Sequence, residues 1–424
     1  MRGDDAYGRL LHEITAGRVA VPEGLPAGPD IFSEIWAWQD RNEGKLQPPG
    51  TDPNPIPVRF LAELDARYNG AMLQAETGLG ERLTLFWANH FAVSRDKIGP
   101  VAASAGAFER EAIRPHVFGR FTDMLVAAET HPTMIWYLDN EQSVGPDAAG
   151  NRNGKRGLNE NLAREIMELH TLGVRSGYSQ ADVTAFARVI TGWTVKRGDD
   201  QPGDKVGAFA FNPKTHQPGD QRIMGRTYAE AGQQQGVGVL RDLAAHPATA
   251  RHIATKLARH FIADTPPPAL VARLERTFLD SGGDLQAVSL ALVQSPEATA
   301  APPQKLRLPQ EYLSAMQRAT GRPLEAGLVN NYLTRMGQPL WLPGGPNGFS
   351  DSVAVWATAV SIEARLSIAN RFAHNTGPDV DPRAFAEAVL GGQLSQITRD
   401  AIAHAETRPQ GVAIAFLSPE FMRR

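Results

Sequence analysis

Apolar residues recur at spacings of three and four along most of the chain, which is the pattern of helices with one buried face. The pattern is clear from Val58 onwards, in the runs FLAELDARYNGAMLQ, LGERLTLFWANHFAVS and AFEREAIRPHVFGRFTDMLVAAE. It resumes in NENLAREIMELHTL and DVTAFARVITGW, and again from Val237 to the end of the chain. The sequence therefore predicts a mainly α protein, a multi-helix globular array.

Short alternating runs that favour strands occur in one region. The stretch KVGAFAFNPKTHQPGDQRIMG places apolar residues at alternate positions between turn-forming Pro, Gly and Asn. This predicts one small β-hairpin insertion around residues 195–230, within a segment that ends at about residue 235.

Proline and glycine suggest how the rest of the chain is divided. Residues 1–57 hold two Pro- and Gly-rich stretches around the amphipathic piece IFSEIWAWQDR, which predicts an irregular N-terminal arm with a short helix. We expect residues 58–370 to form the helical core and residues 371–424 to add C-terminal helices packed on it. Residues 140–158 form a Gly- and Asn-rich polar loop, and long loops inside a domain are often functional.

The composition of the chain serves mainly to exclude certain kinds of site and certain classes of protein. The chain has 43 basic and 46 acidic residues, a balance that argues against a broad nucleic-acid-binding surface. It has no cysteine, which excludes disulfides, thiolate metal sites and cysteine nucleophiles. No apolar run is long enough to predict a membrane span. The N-terminal stretch shows no signal peptide, and a cytoplasmic and an exported location both stay open.

The densest group of polar residues lies on the helix predicted after the polar loop. At the helical angle of about 100° per residue, one face of it collects Asn161, Arg164, Glu165, Glu168 and Thr171. Glu165 and Glu168 are neighbours on that face, and two such carboxylates can bind a hard cation or act as an acid and a base. The alternative is a solvated stripe with an Arg–Glu pair. His170 falls among the apolar residues, where the alternative is a hydrogen-bonded core histidine.

A second group lies in LFWANHFAVSRDK. Helical spacing places Trp87, His90, Phe91 and Ser94 on one face, with Lys97 nearby. A neutral imidazole among aromatic rings can be a ligand or a general base, although a packed histidine is the more ordinary outcome. A Ser–His hydrolase is not favoured, because nothing in the sequence supplies the strained turn that exposes a nucleophilic serine.

The remaining histidines are interpreted as structural. His131 and His246 each precede a proline, which predicts a corner where a helix starts. His252 and His260 lie on the basic stripe of ATARHIATKLARHF, for which we expect a solvated face.

The run GLNENLAREIMELHTLGV, followed by GYSQADVTAFARVITGW, resembles the signature block of the domain of unknown function 1800 family. LTLFWANHFAVSRDK resembles the W-x-x-H-F segment of that family, and the similarity extends over roughly residues 58–370. Two departures are an N-terminal segment without the family's Arg-Phe-Gly pattern, and Gly348, Phe349 and Ser350 in place of Gly-Trp-Pro. The resemblance implies a bacterial, helical protein of unestablished activity, with a partner from the domain of unknown function 1501 family.

Carried over position by position, the resemblance marks thirteen residues as a shared polar site and its surroundings: Trp87, His90, Phe91, Asn159, Glu160, Asn161, Arg164, Glu165, Glu168, His170, Thr171, Gly173 and Trp193. The main hypothesis is an enzyme in which Glu165 and Glu168 are either an acid–base pair or, with His90, the ligands of a divalent, oxygen-preferring metal. The same three residues, with Arg164 and His170, would be catalytic. Substrate would bind to Asn159, Glu160, Asn161, Trp87 and Trp193, under a lid formed by the polar loop.

Two other hypotheses stay open. In the first, the chain is a structural or assembly protein whose polar motif is a buried packing network. In the second, it is a binding module for carbohydrate or an anionic polymer, with contacts from Trp136, Tyr137, Trp341 and Phe349.

Overall fold

Helices make up 61% of the computed structural model, which confirms the predicted mainly α class. The structure describes residues 3–42, 53–75, 77–151, 154–198, 203–299, 303–377 and 379–424. Much of the predicted Pro-rich stretch before residue 58 lies outside these ranges, as do residues 152–153 of the polar loop.

Most helices follow one another through short connections. In the first half of the chain they are α1 (Gly3–Ala16), α2 (Gly28–Arg41), α3 (Pro55–Asp65), α4 (Leu79–His90), α5 (Pro100–Phe108), α6 (Phe121–Glu129), α7 (Pro132–Tyr137), α8 (Asn161–Glu165) and α9 (Gln180–Val189). Turns of π-helix continue α3, α5 and α8, over Ala66–Met72, Glu109–Ile113 and Ile166–His170. Short 3₁₀ turns cover Arg114–His116, Asn140–Gln142, Ala149–Asn151 and Gly391–Gln393.

The second half of the chain is also helical. Its helices are α10 (Gln233–Ala244), α11 (Pro247–Phe261), α12 (Pro268–Asp280), α13 (Leu285–Val293), α14 (Pro296–Thr299), α15 (Pro309–Thr320), α16 (Ala326–Arg335), α17 (Val353–Trp356), α18 (Ala359–His374), α19 (Pro382–Leu390), α20 (Gln396–Ala403), α21 (Arg408–Leu417) and α22 (Pro419–Met422). Longer segments separate α7 from α8, α9 from α10 and α16 from α17. None of the helices in the described ranges combines the length and apolar character needed to cross a bilayer.

Three of the four strands in the described residues lie within the predicted region 195–230, and the fourth begins just before it at Trp193; they form two antiparallel pairs instead of one hairpin. Strand β1 (Trp193–Val195) pairs with β2 (Phe209–Phe211), and β3 (Gln221–Ile223) pairs with β4 (Arg226–Tyr228). The β3–β4 turn is formed by Met224 and Gly225, both with positive φ, 49° and 82°. Two such residues in a two-residue loop are characteristic of a hairpin turn whose twist suits the flanking strands.

The predicted irregular arm is more ordered than expected. It contains two helices of 14 residues, α1 and α2. On α2, Ile31, Phe32, Ile35 and Trp36 are buried, and this i, i+4 pattern packs the helix into the core. The prediction of one short helix in this segment is therefore wrong, because the segment holds two longer ones. The Pro and Gly residues of its first Pro- and Gly-rich stretch lie in the connection between α1 and α2 and at the start of α2. The proposed domain boundaries stay a prediction.

Buried ion pairs fix α4 in the core. Arg114 binds both oxygens of Glu81 on α4, at 2.7 and 2.8 Å. The same guanidinium lies 3.3 Å from Glu109, which also contacts Arg67 at 3.0 Å. All four side chains are buried. Because removal of one partner from such a pair leaves an uncompensated buried charge, this network holds α4 firmly against its neighbours.

Candidate active site

A cleft of about 490 Å³ opens where four parts of the chain meet. They are the end of α4, the end of the π-helix Ile166–His170, one face of α11 and the loop 347–352. The first two parts come from the two sequence motifs singled out above, and the last two come from elsewhere in the chain.

Helix α11 supplies the cationic wall of the cleft. His252, Lys256 and Arg259 all line it. Their i, i+4 and i+7 spacing places them on one face of the helix. The pattern of α11 was interpreted as a solvated stripe, and for this face that interpretation is wrong, because the face lines a cleft whose other walls include the end of α4 and the loop 347–352.

Lys256 and His90 are in direct contact. The Nζ of Lys256 lies 2.9 Å from His90 Nδ1. His90 is buried, whereas Lys256 is partly exposed to the cleft. Since the other ring nitrogen of His90 lies 3.0 Å from the carbonyl oxygen of His170, Nε2 must carry the proton and Nδ1 must accept from the lysine. The contacts thus define the tautomer of His90.

The last turn of the π-helix orients two cleft histidines. His90 Nε2 donates to the His170 carbonyl, and His252 Nε2 donates to the neighbouring carbonyl of Leu169 at 3.1 Å. The final carbonyls of a helix have no partner within the helix, so they are free to accept these bonds. The chain then turns through Gly173, at φ 88°, where a Cβ atom would lie 2.9 Å from the His252 ring.

The π-helix is itself held from the interior. His170 Nδ1 donates to Glu129 Oε1 at 2.7 Å, and both side chains are fully buried. His170 Nε2 and Glu129 Oε2 have no hydrogen-bond partner among the described residues. The Glu129–His170 pair therefore lies behind the cleft, and it fixes the backbone whose carbonyls orient His90 and His252.

The side chain of Asn89 on α4 holds the loop 347–352 through two hydrogen bonds to its backbone. Asn89 Oδ1 accepts from the backbone N–H of Phe349 at 2.7 Å, and Asn89 Nδ2 donates to the Phe349 carbonyl at 2.8 Å. Gly348 has φ 72°, and a Cβ atom there would lie 2.4 Å from the Asn89 carbonyl oxygen. The close approach of loop and helix thus requires glycine at this position.

A histidine and a lysine hold the acidic end of that loop. His260 Nδ1 donates to Asp351 Oδ1 at 2.6 Å, and His260 is buried, so its predicted place on a solvated face is wrong. Lys305 Nζ lies 2.5 Å from Asp264 Oδ1 and donates to the Asp351 carbonyl. Both carboxylates at the cleft are therefore already engaged with neighbouring side chains.

Burial shifts the pKa values of the basic groups in the cleft. It lowers the pKa of Lys256 from 10.5 to about 8, against the opposing attraction of Asp351. It lowers the pKa of His252 to about 4, and Lys256 adds to this effect. Burial and the charge of Lys256 also hold the pKa of His90 well below its usual value. Both histidines are therefore neutral near pH 7.

The predicted acidic face does not line the cleft. Arg164 binds Glu160 at 3.1 Å and Glu168 at 3.5 Å, both as i, i+4 pairs with partly exposed side chains. Glu160 also accepts from Thr184 and Gln180 on α9. This arrangement corresponds to the stripe of Arg–Glu pairs that was the alternative interpretation of these residues.

Glu165 is the most enclosed acid of that helix. It is partly buried, and burial raises its pKa, with a further increase from the charge of Glu168. A uniform angle of 100° per residue does not hold beyond Glu165, because the helix continues as a π-helix. The face-sharing predicted for Glu165 and Glu168 therefore rested on the wrong helical period.

The structure does not bring Glu165, Glu168 and His90 together as metal ligands. Within the described ranges, no group of three or more His, Asp or Glu side chains is arranged to hold a metal ion. In addition, both ring nitrogens of His90 already have partners. The catalytic and metal roles proposed for these residues stay predictions.

The other predicted binding residues lie in different surroundings. Asn159 accepts from the backbone of Asn161 and donates to the carbonyl of Asp139, and Asn161 itself is exposed. Trp87 and Trp193 are fully buried in the core. Trp87 packs edge-on against His90, with ring centroids 5.4 Å apart. None of these residues lines the cleft, and Trp87 reaches it only indirectly, through its contact with His90.

The second sequence group is divided at the end of α4. The helix ends at His90, so Ser94 does not continue its face, contrary to the prediction. Ser94 donates to the Pro343 carbonyl, and Lys97 pairs with Asp139 at 2.6 Å. These two residues hold loops, and neither contacts His90.

The aromatic residues proposed for a polymer-binding surface do not share one face. Trp341 is buried, and its Nε1 donates to Glu109 in the buried ion network. Trp136 and Tyr137 are partly buried, and Trp136 packs on Trp36 with ring centroids 5.2 Å apart. Phe349 borders the cleft.

The two His-Pro corners are confirmed. His131 and His246 are the N-cap residues of α7 and α11, and Nδ1 of each accepts the backbone N–H two residues later, from Thr133 and Ala248. For His170, burial and the bond to Glu129 are those of a hydrogen-bonded core histidine, the alternative given above.

Sequence reasoning missed Lys256, Arg259 and Asp351 in the cleft, and Glu129 behind it. For the two cations a signal existed, because their spacing with His252 defines one face of α11. Asp351 and Glu129 have no local signal, since only tertiary contacts bring them to His260 and His170.

The fold and the cleft define a helical protein with a lysine–histidine pair at an open cleft, in which the lysine contacts a neutral ring and not a carboxylate. The chain belongs to the family described as "Protein of unknown function (DUF1800)", whose sequence profile matches residues 38–423. No curated protein matches the chain. No solved structure matches it either.

Proposed function

We propose that this protein is an enzyme, and that its cleft performs acid–base chemistry on a small molecule. Lys256 is the group that transfers the proton, and His90 is a positioning residue that orients it. In its neutral form the amine of Lys256 takes a proton from the substrate and becomes an ammonium. The ammonium then returns a proton to the product or to water.

The observation that carries this proposal is the 2.9 Å contact between Lys256 Nζ and His90 Nδ1. A lysine in a structural role usually pairs with a carboxylate or carbonyl, as Lys305 does. Within the described part of the chain, Lys256 instead has a neutral imidazole as its one hydrogen-bond partner. Because that imidazole is fixed by a backbone carbonyl, it holds the amine without neutralising its charge.

The proton affinity of Lys256 suits this role. A general acid–base group works best when its pKa lies near the working pH. With a pKa of about 8, about a tenth of Lys256 is neutral at pH 7, compared with less than a thousandth for an ordinary lysine. His90 and His252 remain neutral and therefore act as hydrogen-bonding groups.

The structural-protein hypothesis predicts no solvent-reaching cavity at Glu165 and His90, and of these two residues His90 lines the cleft while Glu165 does not. The cleft of about 490 Å³ at His90 favours the enzyme over that hypothesis. The Glu129–His170 pair belongs to the interior and supports the cleft from behind. Partnership with a domain of unknown function 1501 protein, and a divalent metal as cofactor, stay predictions from the sequence.

The proposal is tested by following pools of small metabolites by proton NMR in D₂O, where either conversion or deuterium incorporation reveals proton transfer. The expected result is activity on at least one compound with the unmodified chain. Lys256→Met should reduce it by about 100-fold or more, the usual contribution of a general acid–base group.

Lys97→Met is the matched control, because Lys97 pairs with Asp139 outside the cleft. It should leave the activity unchanged. Circular dichroism must show that both variants are folded. Activity that survives Lys256→Met in a folded protein contradicts the assignment of the proton-transfer group.

A further inference from the structure

Arg259 is a second cation in the cleft, and it makes no hydrogen bond or ion pair with any described residue. It lies one turn beyond Lys256 on the same face of α11, and it is exposed at the cleft. By contrast, Arg251 on the same helix pairs with Glu275 at 3.2 Å. The guanidinium of Arg259 is therefore available to a ligand.

Lys256 also has hydrogen-bonding capacity to spare. An ammonium carries three N–H donors, and among the residues that the structure describes Lys256 has a single protein acceptor, Nδ1 of His90. The remaining donors and the planar fork of Arg259 lie along one wall of the cleft. Guanidinium and ammonium groups bind carboxylate and phosphate oxygens through charge-assisted hydrogen bonds.

The acidic side chains of the cleft do not complete this wall. Asp351 accepts from His260, and Asp264 accepts from Lys305 and from the backbone N–H of Val353. Partly buried positive charge without a contacting counter-ion is unfavourable, and an incoming anion relieves it.

We infer that the substrate of this cleft carries a compact oxyanion, a phosphate or a carboxylate, which binds between Arg259 and Lys256. This inference rests on the proposed function, since it names the substrate class of the same site. Arg259 holds the oxyanion by its fork, and Lys256 lies beside the atom that exchanges a proton. His252 lines the same wall as a neutral group.

The test is the binding of inorganic phosphate and, separately, of malonate, measured by isothermal titration calorimetry at pH 7. Glycerol serves as the uncharged control. We expect at least one anion to bind with a dissociation constant of about 10 mM or tighter, with Arg259→Met weakening it by about tenfold. Arg251→Met should bind as the unmodified chain does. The two titrations distinguish the two sources of the oxyanion, a phosphate ester and a carboxylic acid.

The affinity should also fall as Lys256 loses its proton at a pH of about 8. The groups that face Lys256 are His90, His252, Arg259 and Asp351. The pKa values of the two histidines and of Asp351 are lowered, so these three groups keep their protonation states between pH 7 and 9. The decline is therefore assigned to Lys256, and it should be absent in Lys256→Met, which binds weakly throughout.

Absence of binding by both anions overturns the inference, as does equal binding by Arg259→Met and the unmodified chain. These failures are distinct from failure of the proposed function. If only the anion inference is wrong, proton transfer still depends on Lys256 while no anion binds. If only the proposed function is wrong, phosphate or malonate binds while Lys256→Met has no effect on conversion.

Discussion

Replacement of Lys256 by methionine should make the protein more stable at neutral pH. Most substitutions of a partly buried residue reduce stability, so the sign of this effect is informative. Lys256 is an ammonium that has left water for a partly buried cleft wall, and its one hydrogen-bond partner in the described ranges is a neutral ring. Methionine has a similar length and no charge to desolvate.

The magnitude follows from the pKa of the lysine. A change from 10.5 to about 8 is about 2.5 pKa units, and at about 1.4 kcal/mol each the charged form is disfavoured by about 3 kcal/mol. Loss of the hydrogen bond between Lys256 and His90 costs about 1 kcal/mol. The cost is not larger, because a water molecule in the cleft can bind His90 Nδ1 in place of the lysine. The expected net gain in the free energy of unfolding is about 2 kcal/mol, or a rise of a few degrees in Tm.

The gain should depend on pH in a defined direction. Because the pKa of Lys256 is lower in the folded chain, the unfolded chain binds more protons between pH 8 and pH 10.5. The desolvation penalty is therefore complete below pH 8, and it disappears as the pH rises to 10.5. The stability difference between Lys256→Met and the unmodified chain should be largest at pH 7 and should be lost near pH 10.5.

Differential scanning calorimetry at the two pH values provides the measurement, and Lys305→Met provides the control. Lys305 is buried, but it pairs with Asp264 at 2.5 Å and donates to the Asp351 carbonyl. Its loss should destabilise the protein by about 2 kcal/mol. If Lys256→Met destabilises the protein at pH 7 as Lys305→Met does, Lys256 is an ordinary structural lysine and the reasoning is refuted.

Other predictions concern the support of the cleft. Glu129→Ala leaves the His170 ring without its buried partner, so the free energy of unfolding should fall by about 3 kcal/mol, whereas a loss below about 1 kcal/mol in urea unfolding would show that the pair is not required. Gly173→Ala places a Cβ atom against the His252 ring at a positive φ, and should lower the free energy of unfolding of the protein by about 2 kcal/mol. It should also shift the His252 ring signals in NMR, and unchanged signals would contradict this contact. The same NMR titration should give His252 a pKa of about 4, and a value near 6.5 would show that its ring is solvated.

The fold was predictable where local signals act alone. Apolar periodicity predicted the helices, and the alternating stretch predicted the strands. The His-Pro corners at His131 and His246 were also predictable, because an N-cap bond to the second residue of a helix depends only on neighbours in sequence. The single hairpin that was predicted proved to be two pairs of strands, because periodicity does not specify which short runs pair with each other.

The site was predictable in part. His90 was selected from the sequence, and it does line the cleft. Helical spacing alone led to the wrong expectation for one face of each of two helices, namely which face lines the cleft and which faces solvent. The stripe on α11 faces a cleft whose other walls are the end of α4 and the loop 347–352, an arrangement that no local pattern reveals. The acidic stripe after the polar loop is partly exposed, and its period changes where the π-helix begins at Ile166.

The central claim is that Lys256 is a lysine of lowered pKa held by a neutral histidine. Its most direct test is the rate of acetylation of each lysine as a function of pH, read by peptide mass spectrometry under trace labelling. The account predicts an apparent pKa of about 8 for Lys256, with the exposed Lys205 in the same sample as the internal reference for labelling. A pKa of 10 or above for Lys256 would contradict it.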